Sequence, residues 1–91
     1  MHVGFAMLIQ NIGDQYTDRE VYQHVLGMAD MAESLGFDSI WTPEHHFTEY
    51  TMTPNVAQLL TYLAGRTQRV KLGAMAYIVP WHEPIRLAEE I

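Results

Sequence analysis

Titratable side chains are concentrated in one short segment of the chain. Residues 42–50, with the sequence TPEHHFTEY, hold two of the five histidines and two of the eleven acidic residues, and His82 follows a later apolar segment. Imidazole titrates near neutral pH and is the commonest general acid or base in enzymes. The segment therefore predicts a proton-transfer site. The alternative, that these are loop polar groups with satisfied hydrogen bonds, stays open at this point.

A metal site is the rival interpretation of the same residues. Successive side chains of an extended segment point to opposite sides, so Glu44 and His46 can share a side whereas His45 and His46 cannot easily chelate one ion. A zinc or iron site needs about three protein ligands, and His82 is the obvious third. We expect no metal, and we keep a metallohydrolase built on Glu44, His46 and His82 as an alternative.

Three short apolar segments are predicted to be the strands that position these residues: Val3–Leu8, Phe37–Trp41 and Val70–Val79. The third is nearly continuous in apolar residues, which is typical of a strand buried on both faces of a parallel sheet. Gly73 within it indicates either the close approach of a flat ligand or ordinary packing of small against large side chains. Packing is the favoured explanation.

Each predicted strand is followed by an amphipathic segment. Thr17 and Glu20 have the spacing of a capping box, and an apolar stripe continues to Leu35 before Gly36 ends the first helix. The second helix is expected to begin at an N-cap Thr53 and to end at Gly65. The third is expected over Ile85–Ile91, after Glu83 and Pro84.

The predicted strands begin near positions 3, 37 and 70, so one βα unit recurs about every 34 residues, and eight units would approach the ~250 residues of a (β/α)8 barrel. The longer loops, Ile9–Tyr16 and Thr42–Met52, both follow strands, at the edge where parallel α/β folds bind ligands. We therefore predict an α/β fold that is the N-terminal βαβαβα portion of a (β/α)8 TIM barrel. Residues 1–91 are interpreted as a single partial domain, the first third of that barrel.

Composition disfavours several classes of partner. The formal net charge is −6 and there is no cysteine. Nucleic-acid-binding domains normally carry a basic face, and anionic membranes also attract basic segments. We expect no nucleic-acid partner, no membrane association and, since the first residues lack the pattern of a secretory signal, a cytoplasmic location.

Several motifs together resemble one family. They are GFDSIW at 36–41, EHHFTE at 44–49, the segment Leu72–Pro80 and the segment Pro84–Glu89. In this combination and spacing the chain resembles the amino-terminal part of the bacterial luciferase-like flavin-dependent monooxygenases. The resemblance extends over essentially all 91 residues.

The resemblance implies a barrel that binds reduced FMN at the carboxyl ends of its strands and uses O2 to oxygenate a small organic substrate, with a separate flavin reductase. His45 matches the active-site histidine, for which a proton-transfer role is implied. Five further residues are implied to shape the cofactor site: Glu44, His46, Ala74, Met75 and Ala76. Met75 and Ala76 match a non-prolyl cis peptide beneath the flavin ring, whereas the phosphate-binding residues of the family lie on later strands.

Three further expectations accompany this interpretation. A relative of the same fold could use the deazaflavin F420 for hydride transfer instead of FMN. The chain could also be a non-catalytic truncated fragment that self-associates to bury its open edges. Within the monooxygenase interpretation we expect a homo-oligomer.

Overall fold

Strands and helices alternate along the chain in the computed structural model, which describes all 91 residues. In chain order the elements are β1 (Gly4–Ala6), α1 (Asp18–Met31), β2 (Ser39–Thr42), α2 (Val56–Ala64), β3 (Lys71–Ala74), a 3-10 turn (Val79–Trp81) and α3 (Pro84–Glu90). The strands form one parallel sheet in the order β1-β2-β3. The predicted βαβαβα order is therefore confirmed.

One face of the sheet is covered by helices. Phe5, Ile40 and Leu72 form a row across the three strands, and Ile40 is fully buried. The core contains nine buried apolar residues: Met7, Ile9, Val21, Val25, Ala29, Ala32, Ile40, Leu63 and Val70. Because members of this core come from α1, α2 and the sheet, the helices bury the same face of all three strands.

Trp41 dominates the opposite face of the sheet. It pairs in register with Ala6 and Gly73, and 39% of it is exposed. A Cβ on Gly73 would lie 2.4 Å from the indole carbons Cε3 and Cζ3 of Trp41. The glycine therefore makes room for the indole, which agrees with the packing explanation.

Helix α1 begins as predicted and ends earlier. The Thr17 hydroxyl accepts a hydrogen bond from the Glu20 amide, and the Glu20 carboxylate accepts one from the Thr17 amide, which completes the capping box. The helix ends at Met31 rather than Leu35. The following residues form turns, and the Phe37 amide donates a hydrogen bond to the Ala32 carbonyl.

Helix α2 begins two residues later than predicted. Asn55, not Thr53, is its N-cap, and the Asn55 Oδ1 atom accepts a hydrogen bond from the Gln58 amide at 3.0 Å. Thr53 is instead buried in the preceding loop, where its carbonyl accepts the His45 amide. Helix α3 covers Pro84–Glu90, one residue earlier at each end than the predicted Ile85–Ile91, with Glu83 as N-cap.

The third strand is shorter and more exposed than predicted. It ends at Ala74 instead of Val79, the Met75–Ala76 peptide bond is cis, and a 3-10 turn occupies the end of the predicted strand. Lys71 is exposed and the rest of β3 is half-buried, so the prediction that this strand is buried on both faces was wrong for this chain. The reason is topological, because β3 is an edge strand of a three-stranded sheet. No helix in the structure has the length and apolar character needed to cross a membrane.

Candidate active site

The carboxylate of Glu44 is the centre of a buried cluster just beyond the end of β2. Its side chain has no solvent-accessible surface. The Oε1 atom lies 2.6 Å from His46 Nε2, and the Oε2 atom lies 2.8 Å from His82 Nε2. The Ile78 amide also donates a hydrogen bond to Oε2, at 2.9 Å. A single carboxylate thus joins the loop after β2 to the segment after β3.

Two opposing effects act on the ionisation of this carboxylate. Burial alone would raise the pKa of Glu44, but the hydrogen bonds from His46, the Ile78 amide and His82 together lower that pKa below its ordinary value. The net result favours the carboxylate form. Glu44 is therefore an acceptor of hydrogen bonds at neutral pH.

Aromatic rings enclose the two histidines of the cluster. The His46 ring stacks on Trp81 with centroids 4.8 Å apart, and Phe47 meets Trp81 edge-on at 6.0 Å. Tyr77 lies edge-on to His82 at 5.6 Å. Phe47 is 95% exposed and has a φ of 54°, an uncommon conformation for a bulky residue. The Trp81 and Phe47 rings thus leave an aromatic surface open beside His46.

His45 lies apart from the Glu44 cluster. Its amide donates to the Thr53 carbonyl at 3.1 Å, and its half-buried ring packs edge-on against Tyr50 with centroids 5.5 Å apart. Neither ring nitrogen of His45 has a hydrogen-bond partner in the chain, unlike the Nε2 atoms of His46 and His82. Among these three imidazoles, His45 is the one with both ring nitrogens available to a bound molecule.

The strand-end residues Ala74, Met75 and Ala76 do not share one environment. Ala74 is half-buried and belongs to the same face of β3 as Leu72, towards α2. Met75 is 42% exposed and Ala76 is exposed, directly after the strand. The cis bond between Met75 and Ala76 agrees with the one the resemblance implies. Met75 and Ala76 are thus the accessible pair.

Residues at this edge fit one part of a flavin better than another. Exposed Met75 and Ala76 offer an apolar surface of the kind that a flat ring system can cover. Residues 42–55 and 74–83, by contrast, contain no lysine or arginine that could pair with a phosphate. The chain therefore provides groups suited to the ring and no cationic partner for the phosphate in these two segments.

The three residues of the metal alternative do come together, but as a hydrogen-bonded group. The Glu44 carboxylate is hydrogen-bonded to the Nε2 atoms of both His46 and His82. No group of three or more His, Asp or Glu side chains has an arrangement that would hold a metal ion. The geometry gives the metallohydrolase alternative no support.

Sequence reasoning missed part of the site. The amide of Ile78 as a partner of Glu44 and the stacking of Trp81 on His46 had no local signal, since both join residues more than thirty positions apart. The hydroxyls of Thr42 and Thr53, buried without a partner, were not anticipated either. The shared side of Glu44 and His46 was predicted by strand periodicity and is confirmed.

The sequence matches the luciferase-like monooxygenases over residues 1–91. The chain belongs to this family. Over 90 residues it is 33% identical to the oxygenase component of the flavin-dependent trigonelline monooxygenase of Acinetobacter baylyi, covering 99% of this chain and 25% of that protein. Over 77 residues it is 34% identical to the alkanal monooxygenase alpha chain of Photorhabdus luminescens, covering 85% of this chain and 21% of that protein.

Solved structures of the family share the fold. The oxygenating constituent of 3,6-diketocamphane monooxygenase of Pseudomonas putida, a type II Baeyer-Villiger monooxygenase in complex with FMN, superposes with a TM-score of 0.85 at 26% identity. The match covers 100% of this chain and 25% of that one. The chain thus spans about a quarter of the length of these relatives. The predicted fold, the N-terminal βαβαβα portion of a (β/α)8 barrel, is confirmed.

Proposed function

We propose that these 91 residues, as a single partial domain, form part of the active site of a flavin-dependent monooxygenase that uses reduced FMN and O2 to oxygenate a small organic substrate. One observation carries the proposal. His45, with both ring nitrogens free, lies at the carboxyl edge of the sheet in a chain that matches the luciferase-like family over its whole length. The carboxyl edge is where parallel α/β folds bind their ligands.

His45 is proposed as the catalytic residue. Its imidazole can take or give a proton at either ring nitrogen, because no group of the chain occupies them, and the Tyr50 ring limits its movement. The His45 amide donates a hydrogen bond to the Thr53 carbonyl, which restrains the backbone that carries the ring. This combination suits a proton-transfer group that faces a bound molecule.

Met75, Ala76 and the His46 ring are proposed to lie against the flavin. Bound reduced FMN would supply the two electrons that, with O2, allow one oxygen atom to enter the substrate and the other to leave as water. Met75 and Ala76 would exclude water from one side of the site. The resemblance implies that Ala74 and Glu44 belong to the cofactor site as well. We propose that these two residues support the site without touching the flavin, since the Ala74 methyl lies on the helix-facing side of β3 and the Glu44 carboxylate is fully buried.

A separate flavin reductase is proposed as the partner that supplies reduced FMN. Support comes from the name of the Acinetobacter relative, which is the oxygenase component of its system. The names of the relatives also contain trigonelline, an alkanal and a diketocamphane. These compounds are all small organic molecules, and we propose only that class for the substrate.

The choice between FMN and F420 is open to a direct experiment. The full-length protein that carries this segment would be titrated anaerobically with reduced FMN and, in parallel, with reduced F420, while the absorbance and fluorescence of each cofactor are followed. We expect saturable binding of reduced FMN and at least tenfold weaker binding of reduced F420. Tighter binding of F420 would overturn the FMN assignment and favour hydride transfer by the deazaflavin.

A further inference from the structure

We propose that Glu44 is a positioning residue that fixes both His46 and His82 in the tautomer with the proton on Nε2. The inference goes beyond the proposed function, because it depends on contacts within the chain and would hold whichever cofactor is bound. It also gives Glu44 a role different from a direct cofactor contact.

The geometry around the carboxylate leaves little choice of donor. Glu44 Oε1 lies 2.6 Å from His46 Nε2, and the two carboxylate oxygens lie 2.9 and 2.8 Å from His82 Nε2. The Ile78 amide, which can only donate, occupies a further position on Oε2. A carboxylate has no proton to give, so each imidazole must donate its own from Nε2.

Both rings are also held in place by their neighbours. The ring of His46 lies nearly parallel to Trp81, at an interplanar angle of 20°, and His82 is met edge-on by Tyr77 at 82°. The side chains of His46 and His82 are only 17% and 15% exposed, so water competes weakly for their Nε2 protons. A half-turn flip of either ring would keep its aromatic contact but would place a carbon in the position of Nε2, so the hydrogen bond to Glu44 would be lost.

Fixing this tautomer defines what the two histidines can do. With Nε2 donating to Glu44, each neutral ring can accept a proton only at Nδ1. His46 and His82 would then present one acceptor each in a fixed direction, whereas His45 has both ring nitrogens free. The buried carboxylate also links the loops that follow β2 and β3, so the orientations of the two rings are coupled through Glu44.

The test is nitrogen-15 NMR of the histidine rings in the 91-residue chain, recorded at a pH at which the rings are neutral. In the native chain we expect His46 and His82 to have protonated Nε2 and unprotonated Nδ1, with Nε2-bound protons that exchange slowly enough to be observed. The exposed His24 should show no such protected proton. Exchange at His46 and His82 as fast as at His24 would overturn the proposal, with no variant required.

Substitutions separate a tautomer-fixing role from simple packing. In Glu44→Gln the side-chain amide can accept from one ring, but its NH2 group must donate to the other, so one histidine is expected to move its proton to Nδ1. Glu44→Asp keeps a carboxylate and should retain Nε2 protonation in at least one ring. Glu89→Gln, on the exposed surface of α3, is the matched control and should change neither ring. Unchanged tautomers of both histidines in folded Glu44→Gln would contradict the proposal.

Discussion

Glu44 shows at the scale of one residue how a buried charge can be retained. Removal of a carboxylate from water is costly unless hydrogen bonds replace the lost solvation. Here two imidazoles and one backbone amide do so, and they lower the pKa of Glu44 despite its burial. A group with a lowered pKa in the folded state stabilises the fold above its ordinary pKa of 4.5, and this contribution is lost as the pH falls through the folded-state value.

The Glu44→Gln variant tests this contribution by its dependence on pH. At pH 7 we expect the free energy of unfolding to fall by about 1.5–3 kcal/mol, the usual scale for hydrogen bonds that involve a charged group. Below the ordinary pKa of 4.5 the difference from the native chain should shrink, because the native carboxylate becomes protonated as well. Urea unfolding at a series of pH values measures the difference. A gap that stays constant into acid would show that ionisation of Glu44 does not stabilise the fold.

The His45→Ala variant tests the proposed catalytic role. Loss of a general acid or base typically lowers turnover by about 10²–10⁴-fold. In the full-length protein we expect such a fall in kcat with little change in the KM for reduced FMN, since the flavin contacts proposed for Met75 and Ala76 remain. His24→Ala, on the exposed face of α1, is the control and should leave kcat unchanged. Equal turnover in the two variants would remove His45 from the mechanism.

At the scale of elements, the packing of the Trp41 indole of β2 against β3 depends on Gly73. A side chain at Gly73 would meet the Trp41 ring at 2.4 Å, so Gly73→Ala must displace the indole. We expect a loss of about 1–3 kcal/mol in the free energy of unfolding, the usual cost of overpacking.

Gly27→Ala is the matched control for this substitution. Gly27 lies within α1 and a Cβ there would meet nothing within 4 Å. Alanine favours a helix by about 0.5–1 kcal/mol over glycine, so this variant should be more stable. Thermal unfolding of both variants checks the opposite signs. Stabilisation by Gly73→Ala would contradict the close packing of the indole against Gly73.

The elements that were predicted correctly are those whose signals are local. The capping box at Thr17 and Glu20 sets the start of α1 within four residues, and Glu83 does the same for α3. The predicted start of α2 was wrong because both Thr53 and Asn55 can cap a helix. Asn55 is the N-cap, and the Thr53 carbonyl instead accepts a hydrogen bond from the His45 amide. Periodicity alone could not show this.

The end of β3 and part of the site depend on contacts between distant residues. Ile78 was expected in a strand. Its amide instead donates a hydrogen bond to the Glu44 carboxylate, and Glu44 lies 34 positions earlier in the chain. Strand-end topology was enough to predict that Glu44, His46 and His82 lie near one edge. It could not predict that the carboxylate would bind both rings, because that depends on how the loop folds.

At the scale of the whole molecule, apolar side chains stay exposed in the segment that follows β3. Val79, Trp81 and Ile85 are 57%, 59% and 73% exposed, and β3 has a strand partner on one side only. Exposed strand edges and apolar patches favour association with another chain. These features support the expectation that the 91-residue chain on its own self-associates.

Sedimentation velocity over a range of concentrations tests this expectation. We expect the 91-residue chain to form oligomers that weaken in Ile85→Lys, because a charge would be placed in the apolar surface. Met31→Lys, at an exposed position at the end of α1, is the control and should sediment like the native chain. A monomer at every concentration would contradict self-association of this chain.

Transfer of an oxygen atom is the central claim, and isotope labelling tests it most directly. The full-length protein carrying this segment would be supplied with reduced FMN and 18O2, together with a panel of small organic compounds that includes an alkanal and trigonelline. We predict that at least one compound gains a single 18O atom, that the gain requires reduced FMN, and that it is lost in His45→Ala. Oxidation of the flavin at its protein-free rate, with no 18O in any compound, would contradict the account.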